Sequence, residues 1–183
     1  MKVLFLYPNH EGYFRCPVGL TLIMTVVEND GHEVKLFDTT FMNSDSNQDN
    51  SKREEVGMVK PVTLDNYFDK KSTSEIESDW IKLVEEFKPD LIATTIVEDA
   101  YTYAHRLLGL AKSVHDIPVV VGGSMPTVVP KVMIENPNID YLVEGEGEVA
   151  FKELIDALIK DGDVSQVPNL WYQDNGITKN TGL

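Results

Sequence analysis

Small residues lie at the ends of three apolar runs of this 183-residue sequence, and their chemistry indicates a ligand site. They are Thr94, Thr95, Gly122, Gly123, Gly145 and Gly147. Glycine lets a ligand approach the backbone closely, and its N–H can donate to a bound oxygen. If the three runs are neighbouring strands, these residues border a narrow slot. Such a slot suits a large ligand with a slim tail.

The glutamates beside these glycines have two interpretations. Glu144, Glu146 and Glu148 could ligate a metal or act as general bases. Glu148 also falls in the first turn of a predicted helix, where the helix dipole stabilises a negative charge. We therefore favour a structural role for this cluster. Glu98 and Asp99 are similar, because they could cap the next helix or contact the edge of a ligand.

Sequence motifs for common nucleotide sites are absent. The chain has neither G-x-G-x-x-G after its first apolar run nor G-x-x-x-x-G-K-[ST] anywhere, which argues against a dinucleotide site and a P-loop. The first run ends in Tyr7-Pro8-Asn9, and not in the acidic pair that binds magnesium in a response regulator. The residues that follow also lack the Ser/Thr/Gly-rich phosphate loop of a flavodoxin.

Apolar runs alternate with helical patterns along the chain, which predicts a parallel sheet covered by helices on both faces. The predicted strands are residues 3–7, 33–38, 91–97, 119–121 and 141–143, and the predicted helices are residues 20–27, 100–114 and 148–159. We predict an α/β, flavodoxin-like, doubly wound fold with a five-stranded parallel sheet of order 2-1-3-4-5. Ligands of such sheets bind beyond the carboxyl ends of the strands, where the small residues lie.

Two segments interrupt this alternation. Residues 42–74 are polar and too long for an ordinary connection, so we predict a surface insertion after strand 2 in preference to a functional lid. Near the C-terminus, Asn175-Gly176 between two short strand-like pieces predicts a hairpin. The predicted organisation is one domain over residues 1–165 and a hairpin or connector over residues 166–183.

Composition limits the classes of partner. A formal net charge of −14 argues against non-specific binding to nucleic acid and against adhesion to an anionic membrane surface. No apolar run approaches the roughly 20 residues of a membrane-spanning helix. The single cysteine, Cys16, permits no internal disulfide, which fits a cytoplasmic protein. One cysteine also cannot hold an iron–sulfur cluster or a thiolate zinc site.

Four segments carry a family resemblance. They are "PVGLTLIMTVVENDGHEVKLFD" (17–38), "PDLIATTIV" (89–97), "PVVVGGSMPTVVP" (118–130) and "IDYLVEGEGEVAFKELIDAL" (139–158). In this order and spacing, the chain resembles the N-terminal cobalamin-binding domain of cobalamin-dependent radical S-adenosylmethionine enzymes. The resemblance implies that a corrin ring lies over the carboxyl edge of the sheet and that its nucleotide tail enters a slot beside the central strands.

The resemblance also implies a set of contacts with cobalamin. Thr95 and Val97 occupy the Ser-x-Leu position on the third strand, and the glycine pair leaves room for the tail. The full set of implied cofactor-binding residues is Asn9, His10, Tyr13, Thr95, Val97, Gly122, Gly123, Ser124, Gly145, Glu146 and Gly147. The Asp-x-His-x-x-Gly motif of methionine-synthase-type domains is absent. His10 is therefore either a cobalt ligand from the first loop or an exposed loop histidine.

The function that the resemblance implies is a cobalamin-binding module of a methyltransferase-like or oxidative-cyclase-like radical enzyme. The module would hold the corrin for an adjacent catalytic domain, which binds S-adenosylmethionine and a four-iron four-sulfur cluster. The Cys-x-x-x-Cys-x-x-Cys motif of that domain is absent here. We therefore expect this chain to be a piece of a longer protein and to be inactive alone. The alternative is a flavodoxin-like regulatory or protein-interaction domain with no corrin.

Overall fold

The computed structural model describes residues 1–9, 16–43, 55–58, 60, 69–160 and 163–182. Within these ranges the chain forms an α/β fold around one mostly parallel sheet. None of the helices in the described ranges has the length and apolar character that a membrane span requires. His10 and Tyr13 lie outside the described residues.

The strands form one large sheet and one small separate pair. In chain order they are β1 (Lys2–Tyr7), β2 (Glu33–Asp38), β3 (Met42–Asn43), β4 (Asp69–Lys70), β5 (Leu91–Thr95), β6 (Val119–Gly122), β7 (Tyr141–Val143), β8 (Leu170–Asp174) and β9 (Ile177–Asn180). The large sheet has the order β2-β1-β5-β6-β7-β8-β9, and β3 pairs with β4. Its first five strands are parallel. They reproduce the predicted order 2-1-3-4-5, so the predicted fold class is confirmed.

Helices cover both faces of the large sheet. They are α1 (Val18–Asn29), α2 (Thr73–Phe87), α3 (Tyr101–Val114), α4 (Ser124–Val128), α5 (Pro130–Ile134) and α6 (Glu148–Ile159), with short 3₁₀ turns at Glu98–Ala100 and Val164–Gln166. The buried residues of α1 and α6 pack against one face, and those of α2, α3 and α5 pack against the other.

The alternation of side chains along each strand explains the two layers. In β1, Val3 and Phe5 join the core under α1 and α6, whereas Leu4 and Leu6 join the core under α2 and α3. A strand buried on both faces has no polar side, so its sequence is a continuous apolar run. This is why the central strands could be identified from the sequence.

Helix α2 is an element that the predicted pattern did not include: residues 42–74 were assigned to the insertion, and residues 75–88 were assigned to no element. Ser72 caps it in a capping box with Glu75: the serine hydroxyl accepts from the Glu75 N–H, and the Glu75 carboxylate accepts from the Ser72 N–H. Trp80 is fully buried, and its indole N–H donates to the Leu107 carbonyl oxygen at 2.7 Å. These contacts fix α2 to α3 beneath the sheet.

The predicted C-terminal hairpin is present and extends the sheet. β8 pairs antiparallel with β7, and β9 pairs antiparallel with β8. Asn175 and Gly176 both have positive φ angles, 50° and 77°, as a tight two-residue hairpin turn requires. The Trp171 indole N–H donates to Oε2 of Glu144 at 2.6 Å, which ties the hairpin to the end of β7.

Candidate functional site

A cavity of about 190 Å³ opens at the carboxyl edge of the sheet. It lies between the first turns of α1 and α6 and the ends of β5, β6 and β7. This is the edge at which doubly wound sheets bind ligands.

The closed end of the cavity is apolar. Phe5, Ala93 and Val120 lie side by side on β1, β5 and β6, because Phe5 is in register with Ala93 and Ala93 with Val120. We call these three residues the deep row. Phe151 of α6 stacks on Phe5 with ring centroids 5.8 Å apart and an interplanar angle of 29°. Ala93 is the smallest member, so the space opens above the centre of this row.

The next row toward the carboxyl edge, on the same face, is more polar. We call Thr95, Gly122 and Val143 the rim row. Thr95 is in register with Gly122, and Val143 follows Leu142, which is in register with Val121. Thr95 places one hydroxyl here, and Gly122 leaves a strip of bare backbone. The lining of the cavity therefore changes from apolar to polar within two residues along the strands.

The two glycines after β6 differ in what requires them. A β-carbon added to Gly122 would lie 3.9 Å from the carbonyl oxygen of Val143, an ordinary contact, so the absent side chain leaves open cavity. Gly123 has φ 105° and ψ −172°, a conformation essentially restricted to glycine. A β-carbon there would lie 2.5 Å from Oγ1 of Thr95 and 2.9 Å from the carbonyl oxygen of Ile96. Gly123 is required by its backbone conformation, whereas Gly122 is required to leave the cavity open.

The loop after β7 is tied to the loop after β6. Thr127 is the link: its hydroxyl donates to the Gly123 carbonyl oxygen at 2.9 Å and accepts from the Gly145 N–H at 3.1 Å. Gly145 has a φ of 80°. Gly147 caps α6, and a β-carbon on it would lie 2.9 Å from Cδ1 of Ile23 on α1. The rim is thus built by close backbone packing.

Both helices that flank the cavity begin at it. The first turns of α1 and α6 line the cavity, and neither N-terminus has a side-chain cap. The first N–H groups of a helix lack intrahelical partners and carry the positive end of the helix dipole. The rim can therefore offer backbone donors to oxygen atoms of a ligand.

Six of the predicted site residues line the cavity, namely Thr95, Gly122, Gly123, Gly145, Glu146 and Gly147. Val97 lies outside the lining and leads into the first 3₁₀ turn, and Ser124 is exposed at the start of α4. His10 and Tyr13 stay predictions, since both lie outside the described residues.

Asn9 holds the end of the first loop and does not line the cavity. It is buried; its backbone N–H donates to Oγ1 of Thr39 at 2.9 Å, and its amide donates to Oγ1 of Thr40 at 3.1 Å. Burial raises the pKa of Tyr103, on α3, to about 12, and its interaction with Thr39 lowers this pKa by a smaller amount. This network joins β1, β2 and α3.

The structure favours the structural interpretation of Glu144, whose carboxylate accepts from Trp171. In the described part of the chain, His, Cys, Asp and Glu form no group of three that could hold a metal ion. Glu146 and Glu148 line the mouth of the cavity.

Sequence reasoning missed the closed end of the site. The deep row and Phe151 looked like ordinary core residues. The available signal was their spacing, because Ala93 and Val120 stand two residues before Thr95 and Gly122 and therefore on the same face.

The size and lining of the cavity define what can enter it. A cavity of about 150 Å³ lined by apolar side chains binds benzene, so this one has room for a somewhat larger flat aromatic group. A tetrapyrrole-sized macrocycle is too large to enter. The residues fit the nucleotide tail of cobalamin, whose aromatic base would meet the deep row and whose ribose and phosphate oxygens would meet the rim.

The sequence comparisons identify the family and two relatives that match nearly the whole chain. The model of the B12 binding domain matches residues 62–155. An uncharacterized methyltransferase of Pyrococcus horikoshii is 29% identical over 189 residues, which cover 98% of this chain and 34% of the relative. The cytidylyl-2-hydroxyethylphosphonate methyltransferase of Streptomyces wedmorensis is 32% identical and covers 96% of this chain and 32% of its own length. The chain thus spans about a third of the length of these relatives.

Solved structures show the same fold. The radical S-adenosylmethionine methyltransferase TsrM of Kitasatospora setae, with cobalamin and a [4Fe-4S] cluster bound, matches with a TM-score of 0.73 and 21% identity over 99% of this chain and 28% of that one. The cobalamin-dependent S-adenosylmethionine radical enzyme OxsB, with aqua-cobalamin and S-adenosylmethionine bound, matches with a TM-score of 0.67 and 17% identity over 99% of this chain and 22% of its own.

The cavity lies at the carboxyl edge of a doubly wound sheet, and its lining suits the tail of a cobalamin. The family model covers more than half of the chain. It includes β5, β6 and β7 and the glycines that line the cavity at or after the ends of these strands, Gly122, Gly123, Gly145 and Gly147. These findings confirm the resemblance and decide against the corrin-free alternative. The chain belongs to the B12 binding domain family.

Proposed function

We propose that this domain anchors cobalamin by its nucleotide tail and presents the corrin to a catalytic domain of the same protein. The observation that carries the proposal is the two-row cavity, which is apolar at its closed end and polar at its rim. The nucleotide tail has a matching order of polarity, because its aromatic base is apolar and the ribose phosphate that carries the base is polar. Buried apolar contact supplies affinity, and the rim donors orient the oxygen atoms.

The size of the cavity supports the nucleotide tail as the part of cobalamin that it receives. At about 190 Å³ it excludes the corrin, whereas the slim nucleotide can enter from the carboxyl edge. Ala93 leaves space at the closed end, Gly122 leaves space at the rim on the adjacent strand, and Gly123 fixes the backbone of the rim. This chain's own residues thus bind and position the cofactor.

We infer that the parent protein is a radical S-adenosylmethionine enzyme, and a methyltransferase in preference to a cyclase. Both relatives that match nearly this whole chain are named as methyltransferases. Cobalamin, when bound, would supply a cobalt that can carry a methyl group. S-Adenosylmethionine and a four-iron four-sulfur cluster would be held by the catalytic domain, since this chain has only Cys16. The domain alone is then expected to be inactive.

The first loop supplies two further candidate contacts with the cofactor. His10 is the candidate protein ligand of cobalt, and Tyr13 is a candidate cover for the flat ring. The single cysteine supports a cytoplasmic location, and the net charge of −14 supports an account without nucleic-acid or membrane partners.

Retention of the cofactor tests the proposal. The protein is mixed with hydroxocobalamin and desalted, and the visible spectrum of the protein fraction is recorded. We expect a corrin band that co-elutes with the protein. A protein fraction without that band, from protein shown to be folded, would contradict the proposal.

The same spectrum tests His10 separately. A His10→Ala variant should retain the corrin with a shifted spectrum if His10 ligates cobalt. His115→Ala is the matched control, because His115 is exposed at the opposite edge of the sheet. Identical spectra of the two variants would show that His10 is not a ligand.

A further inference from the structure

We infer that the cavity selects among corrinoids by the base of the nucleotide tail, and that it accepts a benzimidazole and disfavours a purine. This inference rests on the proposed function, since it concerns the same cavity. It goes further because it names which chemical class of cofactor this chain can use.

Among the residues that the structure describes, those at the closed end of the cavity carry no hydrogen-bonding side chain. The deep row is Phe5, Ala93 and Val120, each no more than 2% exposed. Phe151 of α6, Leu20 and Ile23 of α1 are also apolar, and all three line the cavity. A group that reaches this depth meets the carbon atoms of these side chains.

The backbone of the deep row is also committed. β5 lies between β1 and β6 and pairs with both, so the N–H and C=O groups around Ala93 are used in the sheet. Val120 lies on β6, between β5 and β7, and is paired on both sides. Paired backbone groups of a central strand have no free donor to offer a ligand above the sheet.

The polar residues of the lining lie at its open end or face away from the deep row. Among the described residues they are Thr94, Thr95, Glu146 and Glu148. Thr95 is in the rim row, and the two glutamates follow the end of β7. Thr94 alternates to the opposite face of β5, and its hydroxyl donates to the Thr95 carbonyl oxygen at 3.5 Å.

Two natural kinds of tail base differ at the edge that would enter first. The far edge of dimethylbenzimidazole consists of C–H and methyl groups. Adenine has an amino group and ring nitrogens around the corresponding ring. Burying such groups without partners costs free energy that the methyl-bearing edge does not cost. We therefore expect an adenine-tailed cobamide to bind roughly 10- to 100-fold more weakly than cobalamin.

The experiment compares the two corrinoids in their dicyano forms. Cyanide then occupies both axial positions of cobalt, so each base is already released and the cost of releasing it does not affect the comparison. Dissociation constants for dicyanocobalamin and for the adenine-tailed dicyano analogue are measured with the full chain by equilibrium dialysis, with corrin absorbance as the readout. The inference requires dicyanocobalamin to bind more tightly by at least about tenfold.

A matched pair of variants locates the selectivity. Val120→Thr keeps the shape of the side chain and adds a hydroxyl to the deep row, so it should reduce the preference for dicyanocobalamin severalfold. Val119→Thr makes the same change on the opposite face of β6, where Val119 belongs to the other core. It should leave the preference at the wild-type value.

The outcomes separate this inference from the proposed function. Equal affinity of the wild-type chain for the two corrinoids would overturn the selectivity and leave the proposed function standing. An unchanged preference in Val120→Thr would overturn the role of the deep row. Binding of neither corrinoid would contradict the proposed function itself, and the inference with it.

Discussion

A valine at position 122 should block the cavity without disturbing the fold. The added β-carbon of Gly122→Val would lie at ordinary contact distance from Val143, at 3.9 Å. The two methyl groups beyond it would occupy open space in the rim row. A β-branched residue also suits the end of a buried strand. We therefore expect the free energy of unfolding to change by less than about 1 kcal/mol.

The loss of affinity can be estimated from what the cavity would otherwise bury. An aromatic group of this kind buries roughly 150–250 Å². At about 25 cal/mol per Å² this corresponds to about 4–6 kcal/mol, or roughly a 10³- to 10⁴-fold change in affinity. Gly122→Val should lose most of this contribution for dicyanocobalamin.

Dicyanocobinamide, which has the corrin but no nucleotide, provides the internal control. Its affinity should be the same for the wild-type chain and for Gly122→Val, because it places nothing in the cavity. Equilibrium dialysis gives both constants, and urea unfolding reports stability. A folded Gly122→Val protein that binds dicyanocobalamin as tightly as the wild type would refute the assignment of the cavity to the tail.

Three further predictions concern stability. Gly123→Ala should lower the free energy of unfolding by about 1–3 kcal/mol, because a glycine-only conformation is strained by a β-carbon; urea unfolding without ligand measures it, and wild-type stability would contradict the role of Gly123. Ser72→Ala should cost about 1 kcal/mol by removing the cap of α2, with Ser113→Ala on exposed α3 surface as the control. Burial raises the pKa of Tyr103 from 10.0 to about 12. Above pH 10 the unfolded state therefore loses a proton that the folded state keeps. The free energy of unfolding should fall as the pH rises from 10 to 12, by up to about 2 kcal/mol. Urea unfolding at pH 9 and 11.5 should show a smaller decrease for Tyr103→Phe than for the wild type, and equal decreases would contradict this role.

The fold was largely predictable because its signals are local. β2 and β7 match the predicted bounds 33–38 and 141–143, and α6 matches 148–159. Each is an apolar or amphipathic run bounded by residues that favour turns. α2 had a signal too, in the Ser72–Glu75 capping box and the spacing of Ile76, Trp80 and Val84, but its first residues were assigned to the polar insertion.

The candidate site was predictable only at its rim. Gly122 and Gly145 stand out by residue type, since glycine after a strand indicates close approach or unusual backbone. Ala93 and Val120 have no such mark, because strand register alone brings them together with Phe5. The distinction between Gly122 and Gly123 was also beyond the sequence, since it depends on a φ angle and on the position of Thr95.

The most direct test of the account is the ratio of two dissociation constants for the wild-type chain. Dicyanocobalamin and dicyanocobinamide share the corrin and differ in the nucleotide tail. If the tail occupies the cavity, dicyanocobalamin should bind roughly 10³-fold more tightly. Equal affinities would show that the cavity does not anchor the tail and would contradict the central claim.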